Sequence, residues 1–178
     1  MVVAEQVSDP AQFATLTLGL KLPVVSKVQL RRLTNEGERI SFPKTRFKVQ
    51  EARRAEIAAA LWHLLARPDQ DVVVAVNYGS ARDAWLMDVG TVLKQSQAVV
   101  QREVAVYQGG VITRFLGTGR LMFWVAGGKD ACRPTDLRGD RPLLIMAGFD
   151  SIPGEQTLEL LKRFAPPSSI LVSTYDAS

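Results

Sequence analysis

A chain of 178 residues with 47% hydrophobic and 22% charged residues has the balance of one ordinary globular domain, and a span 1–178 with no linker, repeat or low-complexity tract is read as that single domain. No uncharged run reaches the length of a membrane helix, and Cys132 as the only cysteine excludes an intrachain disulfide. The net charge of +4 is one segment: Arg31 to Arg54 holds eight basic and three acidic residues, a local balance of +5 that leaves the other 154 residues at −1.

The N-terminus, MVVAEQVSDPAQF, carries Glu5 and Asp9 with no basic n-region, so neither a signal nor a transit peptide is expected, and a cytoplasmic location follows as the expectation. FATLTLGL (13–20) and PVVSKVQLRRLT (23–34) read as strands, the second by alternation of Val28 and Leu30 with Lys27, Gln29 and Arg31. NEGE (35–38) is a turn, and RISF followed by TRFKV returns as a hairpin partner, which makes residues 13–50 a small antiparallel, basic sheet region ahead of a mixed α/β region over 51–178. Ile57, Leu61, Leu64 and Leu65 fall at helical spacing within Val49 to Ala66, and RPDQD ends that helix. DVVVAVN (71–77) has the continuous apolar run of a central strand.

GSARDAWLMDVGTVLK reads as a helix capped by Ser80 and divided at Gly90. VVQREVAVYQ, VITRFL and RLMFWVA read as strands joined at glycines, a central hairpin region, and residues 127–141 as loop. RPLLIMAG, SIPGEQTLELLKRF and SSILVST then make a strand–helix–strand unit with Leu158, Leu161 and Phe164 inward. The fold class expected is therefore α+β or α/β: a mixed sheet with an antiparallel N-terminal part, a central hairpin and a C-terminal strand–helix–strand unit.

Catalytic signatures fail. His63, the only histidine, lies two residues from Leu61, about 200° around a helix, and reads as a surface residue away from the apolar stripe. One histidine and one cysteine supply neither a nucleophilic triad nor a zinc set, so no catalytic residue, metal or cofactor is expected. AGGKD has Phe123 at the first phosphate-loop glycine and Asp130 at its hydroxyl position, and GTGRLM has Met122 at the third dinucleotide glycine. Asp83, Asp88, Asp150 and Glu155 have no spacing that demands a metal, and PDQD (68–71) lacks the acidic-x-lysine triplet of a nuclease site.

Three functions stay open. The first is non-catalytic, largely sequence-independent binding of nucleic acid through 31–54: Lys44, Arg46 and Lys48 project from one strand face about 6.6 Å apart, Phe42 stacks a base, and Arg31, Arg32, Arg53 and Arg54 add charge. The bland alternative is an edge strand guarded by cations, and an acidic protein is the other partner such charge suits. The second is a nucleotide-binding α/β protein or enzyme. It would use loops 77–83 (Asn77, Tyr78, Gly79, Ser80) and 148–155 (Asp150, Ser151), where a strand end meets a helix start. The third is an assembly subunit that contacts partners through hairpin 104–126, with Tyr107, Phe115, Phe123 and Trp124. No membrane partner is expected, and no oligomeric state is legible.

Overall fold

A computed structural model describes residues 8–42, 49–67, 69–95, 103–107, 110–114 and 119–173. Its centre is one sheet of order β1-β7-β6-β2-β5-β4-β3. The strands are β1 (Arg39–Phe42), β2 (Val72–Val76), β3 (Glu103–Tyr107), β4 (Gly110–Arg114), β5 (Arg120–Val125), β6 (Leu143–Ala147) and β7 (Ser169–Ser173). Five of them, β1-β7-β6-β2-β5, are all parallel, and β4 and β3 extend the β5 edge as an antiparallel hairpin. The molecule is an α/β fold.

The helices are α1 (Pro10–Gln12, continued as a π-helical turn over Phe13–Thr17), α2 (Val24–Arg31), α3 (Val49–Ala66), α4 (Gly79–Gln95) and α5 (Gly154–Arg163). The antiparallel N-terminal sheet expected over 13–50 is therefore corrected: 10–17 and 24–31 are helical, and β1 pairs in parallel with β7, Ile40 opposite Leu171. The reason lies in the buried positions. Ala11, Ala14 and Leu18, and again Ser26, Leu30 and Leu33, recur at three- and four-residue steps, while the β-branched Val24, Val25 and Val28 that suggested strands are exposed. Asp9 fixes the start of α1 by accepting from the backbone amides of Ala11 (2.9 Å) and Gln12 (3.3 Å), with Pro10 following.

Strand alternation divides the core. Val72, Val74, Val76, Phe123 and Ile145 pack with α1 to α4 on one face, whereas Val73, Ala75, Trp124, Leu144 and Met146 pack with Leu160 and Phe164 of α5 on the other. Two helix readings change as a result. Residues 55–64 of α3 are buried without a break, so this stretch has no outer face and His63 is buried at 2% exposure, not at the surface. On α5, Leu158 and Leu161 are exposed, and Thr157, Leu160 and Phe164 are the residues turned inward.

The opposite, amino edge of the sheet is tied by a buried ion pair. Asp71, just before β2, accepts from Arg120 Nη2 at 2.9 Å and from the backbone amides of Arg120 (2.8 Å) and Arg138 (2.7 Å). The carboxylate of the PDQD stretch is thus held inside a hydrogen-bonded cluster, which joins β2, β5 and the 127–141 loop.

Candidate functional site at the carboxyl edge

Because five strands are parallel, the segments that follow them leave the sheet at one edge: Gly148 to Ser151 after β6, Asn77 and Tyr78 after β2, and Ala126 to Asp130 after β5. From β2 the chain proceeds through α4 toward β5, and from β6 through α5 toward β7, away from it. The adjacent pair β6 and β2 therefore marks the point where strand order reverses and the following helices change face, which is where open α/β sheets form a crevice for ligands.

The loops 77–83 and 148–155, read separately in the sequence, follow β2 and β6 and so flank this switch point from its two sides. After β2 the backbone continues against β5, with the amide of Ala126 donating to Val76 O and that of Gly127 to Asn77 O, both at 2.9 Å. The side chain of Asn77 accepts from the amide of Tyr78 at 2.9 Å, and the Tyr78 ring is exposed beside Gly127 and Gly128. Gly79 opens α4 where a Cβ would strike the carboxylate of Asp130, so only glycine fits that approach. Ser80 is exposed in the first helical turn rather than at the cap.

On the β6 side, Gly148 turns with φ +70°, in the left-handed region, and starts a short 3-10 turn over Phe149–Ser151. Asp150 and Ser151 are exposed on that turn, and Ser151 Oγ donates to Gly148 O at 2.6 Å. Ser151 is not the cap of α5, which begins after Pro153.

The basic segment is mostly engaged where it is described. Arg31 meets Asp9 at 3.3 Å and Arg32 meets Glu38 at 2.6 Å. Arg39 donates to the carbonyls of Ser168 (3.0 Å) and Phe164 (3.2 Å). Arg53 pairs with Asp88 at 2.9 Å and lies 3.6 Å from the buried Glu56, which in turn accepts from Trp85 Nε1 (3.3 Å) and Ser173 Oγ (2.9 Å). That cluster anchors the N-terminal half of α3 to α4 and to the end of β7. Arg54 is exposed at the mouth of a cleft between α3 and α4. Phe42 is buried at 0% in the core, so its ring is not on a base-stacking face.

Lys44, Arg46 and Lys48 lie outside the described residues, in the segment between β1 and α3. Of the aromatic hairpin, Phe123 and Trp124 are core residues at 1% exposure, whereas Phe115 and the side chain of Tyr107 fall outside the described residues. No group of three potential metal-ligating side chains occurs among the described residues, and none of their helices is long and apolar enough to cross a membrane.

No family model and no curated protein sequence matches the chain. Solved structures do match. The large terminase from a thermophilic bacteriophage superposes with a TM-score of 0.61 at 9% identity over 87% of this chain, and with 0.55 at 14% identity over 92% in a crystal in complex with ADP. The HK97 bacteriophage large terminase gives 0.61 at 13% identity over 99% of this chain, and the Thermus phage P74-26 large terminase ATPase domain gives 0.56 at 16% over 90%. This chain spans 39% and 38% of the two thermophilic-bacteriophage chains, 39% of the HK97 chain and 68% of the P74-26 domain, and what it shares with them is an α/β fold.

Proposed function

We propose that this chain binds a nucleotide through its phosphates at the carboxyl edge of the five parallel strands, between loops 77–83 and 148–155, with the basic residues of the β1-to-α3 connection supplying charge. The observation that carries the reading is the reversal of strand order between β2 and β6, flanked by the N-terminal turn of α4 and the left-handed turn at Gly148. The shared fold supports it, since one of the similar structures is an ATPase domain and another was solved with ADP. Asn77, Tyr78, Gly79, Ser80, Asp150 and Ser151 supply the walls, and Lys44, Arg46 and Lys48 the charge.

The β1–loop–α3 unit sharpens this to binding without the usual hydrolytic apparatus. A phosphate loop reads G-x-x-x-x-G-K-[ST] between a strand and a helix. Residues 42–49 read FPKTRFKV: Lys48 is in register, but Phe42 and Phe47 replace both glycines and Val49 replaces the hydroxyl that holds magnesium. The lysine's charge is kept, and the small residues that let backbone amides approach a phosphate are not.

Calorimetric titration with ADP and with inorganic pyrophosphate tests the reading. Both are expected to bind the wild type, with affinity reduced at least tenfold in Lys48→Glu and several-fold in Ser80→Ala. Absence of binding by both ligands would overturn it. If nucleic acid instead bound in a strongly salt-dependent way that the Lys44/Arg46/Lys48 charge reversal abolished, the comb would be a nucleic-acid surface. The engagement of Arg31, Arg32, Arg39 and Arg53 within the fold favours the compact phosphate ligand over that extended one.

A further inference from the structure

A mixed-charge cleft with two arginines and three carboxylates lies at the amino edge of the sheet, opposite the carboxyl-edge loops. Glu36, Arg67, Asp69, Gln70, Asp140 and Arg141 line it. Its cations are deeper than its carboxylates: Arg67 is half-buried and the Arg141 side chain is 17% exposed, whereas that of Glu36 is 73% exposed and Asp69 and Asp140 are both exposed.

Among the described residues no carboxylate comes within 4 Å of Arg67. Its guanidinium donates to His63 Nδ1 at 3.3 Å and to Leu33 O at 3.2 Å, and lies 4.9 Å from the centre of the Trp62 ring. Arg141 donates to Asn35 O at 2.6 Å and approaches Glu36 only at 4.0 Å. Arginine can only donate, so Nδ1 of His63 accepts and the ring proton sits on the buried Nε2. Burial, and after it the neighbouring Arg141, lowers Arg67 to about 10.

Charge strength here follows depth. Water screens the exposed carboxylates, while the recessed guanidiniums act through a lower dielectric. The terminal carbonyls of α3 oppose an anion with about half a charge, against two full positive charges. Planar guanidinium forks also match the oxygens of a phosphate geometrically.

We propose that Arg67 and Arg141 form a binding site for one phosphate-class oxyanion at the amino edge, independent of the carboxyl-edge site. The group comes either as free phosphate or as a phosphodiester of a nucleic acid. His63 reports on it, because it contacts Arg67 directly and is the only histidine, so its imidazole resonance is unique.

The test is an NMR titration of the full chain, following the His63 ring signal, with inorganic phosphate, with a short DNA duplex, and with sodium chloride at matched ionic strength. The expected result is a saturating shift with phosphate or duplex but not chloride, unchanged in Lys48→Glu and at least tenfold weaker in Arg141→Gln. Arg141→Lys, which keeps the charge and loses the fork, is expected to weaken binding several-fold and serves if the glutamine variant does not fold. A duplex acting at far lower concentration than phosphate assigns the site to a nucleic-acid backbone, and the reverse assigns it to a free anion. A His63 signal unmoved by either ligand, moved equally by chloride, or moved identically in the Arg141 variants would overturn the proposal.

Discussion

His63 illustrates how a single residue carries a pH dependence into the whole fold. Burial first, then Arg67 and Arg141, holds its pKa down to about 3 from 6.5. The unfolded chain takes up a proton near pH 6.5 and the folded chain does not until about pH 3, so this residue's contribution is complete above 6.5 and is lost progressively as the pH falls from 6.5 toward 3. Each pH unit in that window costs about 1.4 kcal/mol, or roughly 2 kcal/mol between pH 6.5 and 5. Urea denaturation at pH 7 and pH 5 should show wild type losing about that much more stability than His63→Gln, which keeps an acceptor for Arg67 but does not titrate. Equal losses in the two proteins would contradict the assignment. At the amino edge, Asp71→Ala should cost roughly 3–5 kcal/mol in the same assay, because it strands buried Arg120. Replacing both side chains with apolar residues should not restore stability, since Asp71 also accepts from two backbone amides.

At the scale of elements, the turn at Gly148 and the start of α4 at Gly79 make separable predictions. Gly148→Ala forces an L-residue to φ +70° and should destabilise by about 1–2 kcal/mol. Gly79→Ala pushes against the Asp130 carboxylate, and it should weaken ADP binding more than it lowers Tm. A Gly79→Ala variant with full affinity would mean that this turn does not contact ligand. These elements were legible to different degrees for physical reasons. β2 was readable because VVVAV is apolar on both faces, and the strand–helix–strand unit of β6, α5 and β7 because its turn residues separate the periods cleanly. The segments 13–20 and 23–34 misled because threonine and valine favour strands locally, whereas tertiary packing selected the helical spacing of Ala14, Leu18, Leu30 and Leu33. Rotation about a helix axis failed for His63 because neighbours surround α3 over 55–64 and leave no wet face.

Across the whole molecule, parallel pairing is what turns scattered sequence features into neighbours. Loops 77–83 and 148–155 share an edge only because β2 and β6 point the same way, which no local pattern encodes. The excess charge of 31–54 was visible in the sequence, but its neutralisation was not: the pairs Arg31 with Asp9 and Arg53 with Asp88 join residues far apart in the chain. The Lys44/Arg46/Lys48 charge reversal should leave stability within about 1 kcal/mol of wild type, while removing phosphate-ligand binding. Cooperative loss of the fold in that variant would mean that the comb is structural.

The pairing of β1 with β7 also sets when this sheet can close. Among the described strands, residues 39–42 pair with residues 169–173 alone, so the earliest strand in the chain waits for one about 130 residues later. A contact of that sequence separation slows folding and leaves a strand edge open in the meantime. A nascent chain halted before Ser169 would present the free edge of β6 to its surroundings. Emergence of β7 would then be the event that seats β1.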